Sequence, residues 1–300
     1  MEIRDLRYFA AVADTLHFGR AAERLHMTQP ALSRQIRSLE AELEVQLFHR
    51  TKRSVRLTIA GQAFLADAQQ ILQHVEQAVS TTRRTARGEM GHLRLSFTTS
   101  ALRSVVPKIV REFRNRYPDV QLTMTERCTH EQVEAFRAHQ LDVGFLYPPV
   151  DEKLLAITPL HTETWVVALP QDHPLALRQP LTLSDLATES FILLPRREGP
   201  YLYDQIIHLC QQAGFYPNVV QEATACQTRA GLVAVGIGIA FVPEVLQDTG
   251  NSAVVYRNLK GDAPSLQLAI AHRRDDDSPI VQHFFQVVEE TFKDAELSVA

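Results

Sequence analysis

Between Phe18 and Leu43 the chain reads FGRAAERLHMTQPALSRQIRSLEAEL, which predicts a short amphipathic helix, a tight turn and a second helix. Ala21, Ala22 and Leu25 give the first helix a small apolar face. Ala31, Leu32, Ile36, Leu39 and Leu43 recur at helical spacing along the second. Small facing stripes let two helices pack closely. Thr28 is placed to cap the second helix by accepting from backbone amides, and Pro30 falls in its first turn, where the missing amide has no intrahelical partner to lose. Gln29, Ser33 and Arg34 then face away from the stripe, with side chains suited to base edges and phosphates in a major groove. An ordinary helical hairpin with a polar outer face competes with this on the two helices alone.

Leu47 and Phe48 lead into HRTKRSVRLT, where His49, Arg50, Lys52, Arg53 and Arg56 crowd a two-stranded turn. A charge run is a common solvated face, but a cationic hairpin directly after such a helix has the position of a phosphate-contacting wing. Over residues 1–87 the chain resembles the N-terminal region of LysR-type transcriptional regulators, on LRYFAAVADTLHFGRAAERLHMTQPALSRQIRSLEAELEVQLFHRTKRSVRLTIAGQAFL. The resemblance implies that Thr28, Gln29, Pro30, Ser33 and Arg34 lie at the groove and that Arg50 and Arg53 lie on the wing. Charge distribution agrees. The whole chain carries 31 Lys and Arg against 35 Asp and Glu, whereas residues 1–92 hold 13 basic and 10 acidic residues, so the basic surplus is N-terminal.

From Thr58 to Arg87 there is no proline, and only Gly61 interrupts a helical pattern. Phe64, Ala68, Ile71, Val75, Ala78 and Thr82 recur at spacings of four and three, with Leu65, Leu72 and Val79 widening the stripe. A rod of about 45 Å at about 1.5 Å per residue is too long for a small winged-helix core to cover. Its apolar face needs either a second chain or the protein's own downstream domain. The LysR-type resemblance implies the first, with Phe64, Ala68, Ile71 and Val75 in a seam between two subunits.

After Arg87 to Gly91 the texture changes to short apolar runs alternating with helices. Strands are expected at 92–97, 120–126, 143–147, 165–169, 191–194, 219–221, 239–242 and 266–271. Helices are expected at 102–117, 131–139, 201–213, 227–235 and 280–293. Two α/β lobes joined by crossing strands would enclose a cleft, with helix N-termini at strand ends lining it. This span resembles the LysR effector domain, which has the fold of periplasmic binding proteins. The resemblance rests on LeuProGlnAspHisProLeuAla at 169–176 and GLVAVGIGIAFVPE at 231–244. The pattern FxLLPRxxxPxxxDxIxxLxxxAGxxP over Phe191 to Pro217 is similar to the branch controlling aromatic and chloroaromatic degradation. The resemblance implies effector contacts from Ser100, capping the helix after the first strand, from Cys128 and Thr129, and from Pro200, Tyr201 and Leu202, with Gln227 opposite. That branch often has Arg shortly after the position of Phe145, where this chain has Leu146 and Tyr147; Arg196, Arg197 or Arg229 is then a candidate carboxylate clamp.

An enzyme is the alternative on an α/β scaffold, but GxSxG, GxxxxGK[ST], HExxH and DxDxDG are missing, and Gly236-x-Gly238 lacks a third glycine at dinucleotide spacing. No catalytic residue, metal ligand or cofactor is expected. Cys128, Cys210 and Cys226 are few and widely spaced, which suits reduced packing residues better than a redox pair. The start MEIRDLRYF has no apolar signal core and no stretch is long enough to span a membrane, so a cytoplasmic protein is expected.

The expected architecture is a mainly α winged helix-turn-helix (1–58), a linker and dimerisation helix (59–90) and a two-lobed α/β effector domain of periplasmic-binding-protein type (91–300). Lobe I takes 91–161 and 268–300, and lobe II takes 162–267. The expected function is a DNA-binding transcriptional regulator, a homodimer or homotetramer. Its partners are double-stranded DNA, RNA polymerase and a small aromatic or unsaturated carboxylate effector.

Overall fold

The computed structural model describes residues 1–51, 54–151, 153–249 and 252–297, in two compact units, Met1–Thr85 and Ala86–Ala300. The first contains α1 (Ile3–Thr15), α2 (Phe18–Arg24), α3 (Gln29–Glu42), the hairpin β1 (Phe48–Arg50) and β2 (Val55–Leu57), and α4 (Ile59–Ala86). Glu2 and Asp5 form a reciprocal capping box that starts α1. Phe9, Val12, Ala21, Leu32 and Ile36 are fully buried. Ala21 and Ala22 keep α2 close enough for these larger side chains to interlock. The Phe9 ring centre lies 5.3 Å from Phe48 of the hairpin and 5.0 Å from Phe64 of α4, so one aromatic cluster ties three segments together.

Thr28 does sit at the N-cap of α3 with an extended backbone, but its hydroxyl makes no capping bond, contrary to the expectation from its residue type. Pro30, in the first turn, starts the helix by fixing φ instead.

The second unit carries β3 (Gly91–Phe97), α5 (Thr99–Ser104), α6 (Val106–Arg116), β4 (Val120–Glu126), α7 (Thr129–Arg137), β5 (Val143–Leu146) and β6 (Leu155–Pro170). There follow β7 (Ser190–Leu193), α8 (Pro200–Gln212), β8 (Asn218–Glu222), α9 (Cys226–Ala234), β9 (Ile239–Pro243), β10 (Val254–Arg257), β11 (Ser265–Arg273) and α10 (Pro279–Leu297). The strand order is β4-β3-β5-β11-β6-β9-β7-β8, with β10 beside β6. β3 runs parallel to β4 and β5, and β7 parallel to β8 and β9. The antiparallel pair β6 and β11 passes between these two halves. Each half has its own core, one around Phe113, Phe145 and Phe284 and the other around Trp165, Phe191 and Phe241.

Two differences from the sequence expectation are physical. The single helix expected over 102–117 is broken at Val105, because Pro107 removes a ladder amide and restricts its predecessor. The strand expected at 165–169 is the far end of a 16-residue strand, whose earlier half, ITPLHTET, looks polar and loop-like because β11 rather than an apolar run holds it in place.

Asp142 is buried at the edge of lobe I. It accepts from the Arg94 backbone amide and Nε, both at 2.9 Å, and Arg273 lies 3.6 Å away. Burial alone would push this carboxyl up, but the Arg94 hydrogen bonds and the charges of Arg94 and Arg273 outweigh it and hold it below the usual range. A depressed folded-state value stabilises above the unfolded Asp value of about 3.9 and is lost as pH falls through that region. Asp142→Asn is therefore expected to cost about 1.5 kcal/mol at pH 7. In urea melts the gap from wild type should shrink as pH drops from 5 to 3, and a gap independent of pH would contradict this account.

Candidate DNA-reading surface and interlobe cavity

On α3, Leu32, Ile36 and Leu39 are buried, which leaves Gln29 and Arg34 exposed and Ser33 half-buried on the other side. Thr28 and Pro30 are exposed at its start. The five groove residues named from sequence thus share one accessible end of one helix. Arg50 is different. Its guanidinium bonds Glu40 at 2.5 Å and lies 4.9 Å over the Phe18 ring, while the same Glu40 accepts from the amides of Leu47 and Phe48. Arg50 thus joins the hairpin to α3 while its residue stays exposed. Arg53 lies outside the described residues. On the outer strand Arg56 is exposed.

The heptad residues of α4 divide in the same way. Ala68 is completely buried in the core of its own unit, and Phe64 packs there against Phe9. Neither forms part of an open seam, because the first turns of α4 pack against α1 and the hairpin. Ile71 is 41% and Val79 46% exposed, with Val75 half-buried between them.

Within the second unit, a cavity of about 710 Å³ opens between the lobes. Ser100, Cys128, Thr129, Pro200, Tyr201 and Leu202 all line it, as expected from sequence. Gln227 does not. It is exposed at the second position of α9, and the face of α9 that meets the cavity carries Cys226 and Arg229, three residues apart.

Ser100 does not cap its helix; Thr98 does, accepting from the Ala101 amide at 3.4 Å. The Ser100 hydroxyl donates to Oε2 of Glu163 at 2.6 Å, and the Tyr147 hydroxyl donates to the same oxygen at 2.5 Å. Glu163 is buried; its Oε1 has no hydrogen-bond partner among the described residues, and His161 Nε2 lies 3.5 Å from it. Burial, and then the neighbouring Glu163 charge, push the Tyr147 phenol well above its ordinary value, so it stays a donor. Thr129 Oγ1 accepts from the Tyr147 amide at 3.2 Å, which fixes α7 against the end of β5.

The Cys128 thiol donates to Glu198 at 3.2 Å across the cleft, and burial pushes it up to about 12. Burial does the same to Cys210. Such thiols carry little thiolate and are poor redox centres, and all three cysteines are unbridged. Of the candidate clamps, Arg196 is taken by a two-pronged pair with Asp204 at 2.7 and 2.8 Å, and Arg197 is exposed beside Glu198. Arg229 is buried at the cavity wall.

Tyr147, Glu163 and Trp165 were not singled out as site residues from sequence. The chain's single tryptophan, at the end of a polar run, was the one available sign of them. Among the described residues, no group of His, Cys, Asp or Glu could hold a metal, and no helix is long and apolar enough to cross a membrane.

Residues 3–62 match the bacterial regulatory helix-turn-helix protein, lysR family, and residues 86–293 match the LysR substrate binding domain. The chain belongs to the LysR family. It is 42% identical over 287 residues to the HTH-type transcriptional regulator AlsR of Bacillus subtilis (strain 168), covering 96% of this chain and 95% of that protein. To the HTH-type transcriptional regulator CatR of Pseudomonas putida it is 38% identical over 288 residues, covering 96% and 98%. The crystal structure of full-length CbnR, a LysR-family regulator, complexed with its target DNA matches with a TM-score of 0.82 at 27% identity, covering 97% and 99%. This LysR-family chain is accordingly a DNA-binding transcriptional regulator with an effector-binding domain, not an enzyme.

Proposed function

We propose that two or four copies of the chain pair through residues 59–90, set residues 1–58 on operator DNA in the cytoplasm, and change promoter output through RNA polymerase. In this proposal the 91–300 domain binds an aromatic or unsaturated carboxylate between lobe I (91–161 and 268–300) and lobe II (162–267). The observation that carries it is the interlobe cavity, whose volume suits a small ligand and whose walls include the flat or apolar faces of Trp165, Leu202 and Leu266. The resemblance of Phe191 to Pro217 to the aromatic-degradation branch supports the same ligand class. An effector held by both lobes changes DNA binding only by its difference in affinity between two arrangements, about 1 to 3 kcal/mol.

A thermal-shift series with benzoate and cis,cis-muconate tests the ligand class. A ligand at 100 times its dissociation constant is expected to add about 2.7 kcal/mol of stability, and no stabilisation by either acid counts against it. On the DNA side, Arg34→Ala is expected to weaken binding to a specific site by about 2 kcal/mol while leaving random duplex binding nearly unchanged. Arg56→Ala should weaken both. Equal losses on both duplexes for Arg34→Ala would make it a phosphate contact only.

A further inference from the structure

Arg229 is only 2% exposed, yet no carboxylate lies within ion-pair distance of it among the described residues. Its Nη1 donates to the carbonyl oxygens of Ala223 and Thr224, both at 2.9 Å, and its Nη2 donates to the Cys226 sulfur at 3.0 Å. One Nη2 hydrogen and the Nε hydrogen have no partner among the described residues. Buried cations are ordinarily paired, because desolvating a lone charge is costly. The Trp165 indole beside it repeats the pattern. Arg229 Cζ lies 5.8 Å from the Trp165 ring centre, and the buried Trp165 Nε1 has no hydrogen-bond partner among the described residues. Both side chains line the cavity, so among the described residues one wall holds a cation without a carboxylate and an N–H donor without an acceptor.

The opposite wall has the reverse polarity. Ser100 and Tyr147 line the cavity, but both hydroxyl hydrogens are directed at the Glu163 carboxylate. What they offer a ligand is oxygen lone pairs, with a buried negative charge immediately behind. A ligand carboxylate placed against these two hydroxyls would meet the Glu163 charge behind them and no hydroxyl hydrogen turned towards it.

We infer that the effector lies across the cleft with its carboxylate on Arg229 and Trp165 Nε1 of lobe II and a hydroxyl or amine directed at Ser100 and Tyr147 of lobe I. The ligand class is a hydroxy- or aminomonocarboxylate, which rests on the proposal above that the cavity holds an acid. Of the three arginines that the sequence offered as a carboxylate clamp, this placement selects Arg229, since Arg196 is paired with Asp204 and Arg197 is exposed beside Glu198. Binding links the lobes because each end satisfies groups that only one lobe supplies.

Trp165 is the chain's single tryptophan, so its fluorescence reports directly on the cavity. The full-length protein would be titrated with 3-hydroxybutanoate, 3-hydroxybenzoate and 4-hydroxybenzoate, each beside its deoxy acid and its primary amide. Wild type should bind at least one hydroxy acid at least about 30-fold more tightly than its amide, as expected for a buried charge that loses its partner. Arg229→Gln should remove that preference while leaving the amide's affinity nearly unchanged, and Arg229→Lys should restore part of it. Tyr147→Phe should erase the preference for the hydroxy acid over its deoxy acid. Circular dichroism confirms the fold of each variant, and Arg229→Lys keeps the test available if Arg229→Gln does not fold. An acid-to-amide ratio unchanged by both Arg229 variants overturns the placement of the carboxylate while leaving the cavity as a ligand site. If no probe alters Trp165 emission in wild type, the cavity assignment itself fails.

Discussion

Ile71→Asp is expected to convert the protein to monomers and to reduce operator affinity by roughly 10²- to 10⁴-fold, because two half-site contacts then act independently. Ile71, Val75 and Val79 recur every four residues on α4, beyond the point where Phe64 and Ala68 enter the core of their own unit. At 41% exposed, Ile71 is not needed to hold the single chain together, so a charge there should leave the helix-turn-helix folded. In a helix-to-helix seam the same carboxylate would be buried without a partner, a cost that an association cannot readily offset. Light scattering and gel-shift titration read the two effects separately. A dimer that survives Ile71→Asp would place the subunit contact elsewhere.

Gly61→Ala is expected to destabilise the N-terminal unit by about 3 kcal/mol, against the sign that helix propensity alone gives. In an open helix alanine is better than glycine by about 1 kcal/mol. Here the added Cβ would lie 2.1 Å from the Leu47 carbonyl oxygen and 3.0 Å from Leu57 Cδ2. The first obstacle is backbone. It is also fixed, since the Leu47 carbonyl accepts from the Thr58 amide at 2.9 Å. The first turns of α4 can therefore approach the hairpin only if residue 61 has no side chain. A urea midpoint above wild type for Gly61→Ala would refute this close contact.

Much of the site was legible where neighbours in space are also neighbours in sequence. The outward placement of Gln29, Ser33 and Arg34 follows from the period of one helix, whereas Thr129, Pro200 and Leu202 were implied by the family resemblance. The contacts of Arg50 with Glu40 and Phe18 are not legible in sequence, because a cation in a basic run looks solvated until the fold brings those groups beneath it. Ala68 was misjudged because a heptad stripe does not say which partner covers each turn. Gln227 and Arg229 stand two residues apart on α9, and helical rotation turns one to solvent and the other to the cavity.

The sequence by itself determined the winged helix-turn-helix, the long helix after it and the alternation of strands and helices, since hydrophobic period and proline placement act over a few residues. Only the tertiary structure decided the polarity of the cavity. Glu163 meets Ser100 from 63 residues away, and Arg229 meets Trp165 across another long interval, because β6 and β11 pass between the two lobes and bring these distant groups into one space. Burial there gives the charges their meaning. A carboxylate or a guanidinium in water is satisfied by hydration, whereas removed from solvent it needs a partner, and the carboxylate that Arg229 lacks among the described residues is the one a ligand would bring.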